Sequence, residues 1–199
     1  MATLWEIIDE GADEVCEQSF FGEDLSCASL GHVEFEDCSF DGCSFAELKA
    51  ARISFDRCTF ESCDFSNARM ATSYWRDCQF SGSRLVGCDL HHSYFVRDTL
   101  RDCACAYLNL TESKLEQVRF SSCDLHEASL AQLKLKRTTL EGCNLTRAEL
   151  FGTRLRGIDL STCEIQALRV SDTFAELRGA HIGVDQAPDL VGLLGIKLV

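Results

Sequence analysis

The sequence predicts an all-β fold, a four-sided solenoid of stacked coils, and three regularities carry that expectation. First, every residue numbered in a multiple of five is apolar, from Phe20, Leu25 and Leu30 through Trp75 to Ile165, Val170 and Ala175. A period of five fits neither a helix, whose apolar face would drift round the axis, nor a flat strand, whose sides alternate every second residue. The chain must therefore turn after each unit of five. Second, small residues sit two before these centres, as at Cys38, Cys43, Cys58, Cys63, Ala68, Cys78 and Cys88. Both positions then point inward, the small one tucked into a corner. Third, Cys43, Cys63, Cys103, Cys123, Cys143 and Cys163 differ by twenty or forty. Twenty residues make one four-sided coil, and like residues stack coil on coil.

The chain begins with a cap, residues 1–17. Thr3 and Glu6 have capping-box spacing, and Leu4, Ile7 and Ile8 share one helical face. A short helix over about residues 4–12 covers the open end of the first coil, as a solenoid requires. Glu6, Asp9, Glu10, Asp13, Glu14 and Glu17 make this end acidic.

Residues 18–177 form the solenoid. Stacking at the strand spacing of roughly 4.8 Å gives about eight coils and a rod on the order of 38 Å long. Ten of the thirteen cysteines occupy the inward position two before a centre. They read as buried small hydrophobes. No Cys-x-x-Cys pair suggests zinc. Met70 to Trp75 is the least regular patch, and along the centre column phenylalanine dominates before residue 95 and leucine after residue 120. This marks a change of packing and a possible bend. Tyr74 and Tyr94 stack outside, with Trp75 and Phe95 inside.

Residues 178–199 end the chain. Asp185, Pro188 and Asp189 are helix-start signals. Seven of the last ten residues are apolar: Leu190, Val191, Leu193, Leu194, Ile196, Leu198 and Val199. They either cap their own rod or join a second chain, and a contiguous apolar end favours joining as a two-fold dimer.

One proline in 199 residues leaves no Pro-rich linker to divide the chain. The N-terminus lacks a basic region followed by an apolar run, and no stretch is long enough to span a membrane. The expectation is a cytoplasmic protein without membrane contact. No catalytic, cofactor or metal motif is present, so the chain is expected not to be an enzyme.

Charge carries the functional signal. The net charge is −13, concentrated in the first 70 residues, which hold 16 acidic and 4 basic side chains. The twenty-residue period sorts it by wall. The first wall, centred on Phe20, Phe40 and Phe60, carries Asp41, Glu61, Asp98, Asp102, Glu141 and Asp159 against two arginines. The second, centred on Leu25, Phe45 and Phe65, carries Glu23, Asp24, Glu47, Asp64, Asp124, Glu127 and Glu164 against two arginines. The third, from Leu30, is balanced. The fourth, from Phe35, is slightly basic, with Lys114, Lys134, Lys136, Arg137, Arg154 and Arg156 late in the chain. Two adjacent acidic walls are either a solvated surface or a surface for a basic cleft, such as one built for nucleic acid. Direct nucleic-acid binding would need a basic footprint instead.

The units Cys-Ser-Phe-Asp-Gly, Cys-Asp-Phe-Ser-Asn, Cys-Asp-Leu-His-Glu and Cys-Asn-Leu-Thr-Arg resemble the pentapeptide repeat family. That resemblance implies a right-handed quadrilateral β-helix. The ending Gln186-Ala187 and Leu193-Leu194-Gly195-Ile196 resembles that of the quinolone-resistance (Qnr-type) members. In that group the carboxyl ends pair two rods, and the long acidic dimer mimics duplex DNA in the saddle of DNA gyrase and topoisomerase IV. Qnr-type coils are interrupted by loops. The unbroken phase here is nearer the loop-free members, the mycobacterial fluoroquinolone-resistance and albicidin-resistance types. The resemblance thus implies a DNA-mimicking gyrase binder, with albicidin ahead of fluoroquinolones as the drug. A scaffold with another basic partner is the alternative.

Overall fold

The structure, a computed structural model, describes residues 3–9 and 12–196, apart from the side chains of Ile8 and Asp9. The chain winds into four walls. The first is a seven-stranded parallel sheet running from Ser19–Phe21 to Thr139–Glu141. The fourth is a second seven-stranded parallel sheet running from Glu14–Cys16 to Lys134–Lys136. The second wall is a ladder of single bridges from Asp24 to Glu164. The third begins as the pair Ser29–Leu30 with Lys49–Ala50 and continues as bridges to Arg169. The pairings join residues twenty apart, as in Phe20 with Phe40 and Trp75 with Phe95, except the last bridge, Asp159 with His181.

The ladder differs from the expected one at both ends. It begins at Glu14 rather than residue 18, because Glu14–Cys16 already pairs with Glu34–Glu36. It loosens before residue 177: Val170 is half-buried, Ala175 is exposed, and the chain turns off at Phe174 into the 3-10 turn Ala175–Leu177. The strands of each sheet span about six turns, whereas the second-wall bridges reach eight levels. Pairing runs through residues 70–105 without a break.

Local chemistry decides which walls are strands and which are turns. On the second and third walls the residue before the centre is often Asp or Asn, whose side chain accepts the backbone N–H two residues on. Asp24 does so with Ser26 at 2.8 Å, Asp64 with Ser66 at 2.8 Å and Asn144 with Thr146 at 2.9 Å. These Asx turns tighten the wall. The first wall mostly carries Ser, Thr or Gln there instead, as at Ser39, Thr59 and Gln79, and the fourth carries Glu, Tyr or Lys, as at Glu34, Tyr74 and Lys114. The residue two after most centres turns the corner with positive φ, for example Asp37 at 53°, Gly42 at 61° and Asn67 at 56°.

The core is built in two halves. Phe20, Phe40, Phe60 and Phe80 stack with centroids 5.2, 5.0 and 4.7 Å apart. Phe35, Phe55 and Trp75 form a parallel stack, and adjacent stacks meet edge to face. Offset stacking and edge contact are the preferred ring geometries. Beyond Leu100 leucines predominate, with Phe120 among them, and an apolar void of about 20 Å³ lies among Leu110, Phe120, Leu125, Leu130 and Leu140. Aliphatic side chains do not fill a rung as flat rings do.

The inward cysteines are free thiols, and all but Cys88 donate to backbone. Cys43 Sγ donates to the Phe20 carbonyl at 3.5 Å and Cys63 Sγ to the Phe40 carbonyl at 3.4 Å. Burial pushes the Cys88 thiol well above its ordinary value. Ser83, Ser113, Thr138 and Thr153 take the same inward position and donate to the equivalent carbonyls.

Both ends are capped. Helix α1 is Leu4–Asp9, and residues 10 and 11 of the expected span lie outside the described residues. The Thr3 N–H donates to Glu6 Oε2 at 2.8 Å, and the Glu6 N–H donates to Thr3 Oγ1 at 3.2 Å, completing the capping box. Leu4 is fully buried over the first coil. At the far end helix α2, Ala187–Leu193, follows Gln186, whose buried amide donates to the Leu160 and Cys163 carbonyls. Those carbonyls have no further coil to pair with, so Gln186 closes the ladder.

Candidate functional site

The first and second walls share a corner, so their carboxylates occupy one continuous half of the rod's side surface. On the first wall Asp41, Glu61, Asp102, Glu141 and Asp159 are exposed. On the second, Asp24, Glu47, Glu127 and Glu164 are exposed, while Glu23, Asp64 and Asp124 are half-buried. The ladder holds them a coil apart, on a backbone whose every rung is hydrogen-bonded to the next.

Few cations neutralise them. Arg101 approaches Asp102 at 3.6 Å and Arg147 approaches Glu127 at 3.6 Å. The Ser26 hydroxyl and backbone N–H hold the Asp24 carboxyl below its usual range. The Ser161 backbone N–H and hydroxyl do the same for Asp159. Both remain ionised at any physiological pH.

Asp98 does not belong to this surface. Sorting charge by wall put it with the outward acids, but it is 0% exposed. It occupies the inward position two before Leu100, in the column of Cys58 and Cys78. Its Oδ1 accepts the Cys78 N–H at 2.8 Å, and its Oδ2 has no partner. Burial pushes its carboxyl up to about 7.

The apolar end divides. Leu190 and Leu193 are half-buried against the core of their own rod. Val191 is half-buried, Leu194 and Ile196 are 56% and 54% exposed, and Leu198 and Val199 lie outside the described residues. Ile182 and Val184 add exposed apolar surface in the same segment. Sequence reasoning missed both, because they precede the helix-start signals.

The fourth wall is mixed. Arg57 pairs with Glu36, Asp37 and Asp56, Arg76 with Asp56, and Arg97 with Asp77. Tyr74 and Tyr94 lie side by side outside with centroids 5.7 Å apart, tilted by 55° rather than stacked as expected. Glu14, Cys16 and Glu36 converge at its foot, where they could reach one cation. Partial desolvation and the Glu14 carboxylate hold the Cys16 thiol up at about 11, so it donates to Glu14 at 3.4 Å. It would have to lose that proton to act as a ligand.

Comparison with known proteins fits this architecture. A pentapeptide repeat region matches twice, over residues 28–102 and 73–150. HetL from the cyanobacterium Nostoc sp. strain PCC 7120, a pentapeptide repeat protein involved in regulating heterocyst differentiation, superposes with a TM-score of 0.56. It is 18% identical over 90% of this chain and 97% of its own. Full-length QnrB1, a plasmid-mediated fluoroquinolone resistance protein, gives a TM-score of 0.46 and 17% identity over 92% of this chain and 100% of its own. No curated protein matches in sequence.

Proposed function

The chain belongs to the pentapeptide repeat family, and on that footing we propose that it binds DNA gyrase and topoisomerase IV as a DNA mimic, conferring resistance to a gyrase-targeting antibiotic. Albicidin is the first candidate drug and a fluoroquinolone the second. The observation that carries this reading is the corner of two adjacent acidic walls, largely unneutralised and mounted on a rigid ladder. A basic saddle shaped for duplex DNA meets a straight negative rod of similar bearing. End-to-end pairing of two chains through Leu194 and Ile196 would double its length. Binding, not chemistry, is the activity.

The mimicry is one of shape and sign. Duplex DNA presents a charge every ~1.7 Å of axis. The second-wall column reads Asp24, Ser44, Asp64, Arg84, Ala104, Asp124, Asn144 and Glu164, so many rungs carry no acid. That sparseness favours a second reading, a scaffold for some other basic partner.

Gyrase supercoiling titrated with this protein, with and without drug, separates the two. The expected outcome is a drug-dependent change in supercoiling and a complex weakened by salt. Reversal of Asp41, Glu61, Asp64 and Glu127 to lysine should reduce gyrase binding at least tenfold. Unchanged binding would remove these walls from the interface.

A further inference from the structure

The fourth wall changes sign along its length. Before each centre its outward column reads Glu14, Glu34, Ser54 and Tyr74, then Tyr94, Lys114, Lys134 and Arg154. Neighbouring columns repeat the trend: Glu36 and Asp37 stand near the first end, Lys136 and Arg137 near the last. Among the described residues Lys134, Arg137, Arg154 and Arg156 make no ion pair, whereas Lys136 holds Glu116. Lys114 sits over the Tyr94 ring at 5.8 Å. One end is acidic, the other basic, and two tyrosine rungs divide them.

Such a wall is complementary to itself. Take a second copy and turn it half a revolution about an axis lying along the strands, midway between the Tyr74 and Tyr94 rungs. The rods become antiparallel, and each column faces the same column of the copy. Because pairing advances by twenty residues without a slip, the rungs match. Glu34 then meets Lys134, Glu14 meets Arg154, and Asp37 meets Arg137. Glu36 meets Lys136, and Tyr74 meets Tyr94. One like-charged pair results, Asp56 with Glu116. Each of those carboxylates already has its own cation, Arg76 or Lys136.

We propose that the fourth wall is a self-association surface on which a second copy of this chain docks antiparallel. This goes beyond the gyrase reading and does not depend on it. The wall is about 10–15 Å wide and about 35 Å long, hence roughly 500 Å² per copy against the ~800 Å² of a standard stable partner. The association is therefore weak and transient. Opposed charges in contact weaken at high salt, while the net charge of −13 on each copy repels at very low salt. Pairing is strongest near ~0.1 M salt, where the Debye length is ~10 Å.

Zero-length carbodiimide cross-linking of the full chain, read by peptide mass spectrometry, tests this. Glu34 and Lys134 lie five rungs apart in one chain, about 24 Å, so a link between them joins two molecules. Pairing through the C-terminal ends cannot produce it. The expected result is Glu34–Lys134 and Glu36–Lys136 links at ~0.1 M salt that fall at least fivefold at ~1 M. Glu34→Lys alone and Lys134→Glu alone should each lose the Glu36–Lys136 link. A one-to-one mixture of the two variants should recover it, because every mutated residue again meets its opposite. Absence of both links in the unaltered chain overturns the proposal, and so does a mixture that links no better than its components.

Discussion

Asp98 shows what a single atom decides. Thiols and hydroxyls at the inward position donate to a backbone carbonyl, as Cys78 and Thr138 do. An ionised carboxylate cannot donate, and its Oδ2 is left without a partner. By register the Trp75 and Val96 carbonyls occupy the place the donor normally serves, so the neutral acid fits and the anion does not. Its carboxyl is raised from 3.8 to about 7 by burial. A group raised on folding stabilises only while protonated. Its contribution is intact below the unfolded value and is lost as pH rises through about 7. Asp98→Asn supplies a permanent donor and should stabilise the rod by about 2 kcal/mol at pH 8 and by much less at pH 5. Urea denaturation at the two pH values checks this, and an equal gain at both would show that the carboxyl does not titrate. The residue's burial was legible, since the five-residue register points this position inward. Sorting all acids by wall overlooked that rule.

The coil is the next unit, and its two versions differ in how they fill space. Phe60 is 1% exposed and lies flat between Phe40 and Phe80. Leu140 is 8% exposed and borders the void. Phe60→Ala should cost about 3–5 kcal/mol and Leu140→Ala about 2–3, as shifts in urea midpoint. Equal costs would mean that the stacked rings add nothing beyond burial. The apolar centres and small inward residues gave this architecture away, because period five has few structural solutions. The corner residues were legible too, though unused: Gly22, Gly42, Gly82 and Gly87 all fall two after a centre, where φ is positive. At Gly87 an added Cβ would lie 2.6 Å from the Asn67 side chain. Where the ladder starts and stops was less legible. Glu14–Cys16 pairs only because a second coil lies above it, and the periodic Ala175 yields to the αL turn at Phe174.

For the molecule as a whole, ends and surfaces matter more than the core. Leu190 and Leu193 pack on their own rod, and Leu194 and Ile196 are left exposed. Replacing those two by aspartate should convert end-paired rods to single rods in sedimentation velocity at ~0.5 M salt, where lateral contacts are screened. Stability should change by less than about 0.5 kcal/mol, because both side chains are more than half exposed. An unchanged sedimentation coefficient would remove the end from the interface. The acidic walls could be read by simple counting, because the register fixes which residues share a face. Which partner they meet is a property of that partner's surface, and the register carries no trace of it.

The twenty-residue register also makes the length of this protein change in steps. Excising one complete coil, for example residues 84–103, would bring Ser83 onto Ala104, close both sheets again and shorten the rod by about 4.8 Å. Excising a single unit of five would keep the interior equally satisfied, yet rotate everything beyond the cut by a quarter turn. The negative half would then continue on a different side, like a stripe on a twisted ribbon. Drift in gene length is therefore tolerated by the interior at every five residues, but by the outer charge pattern only at every twenty.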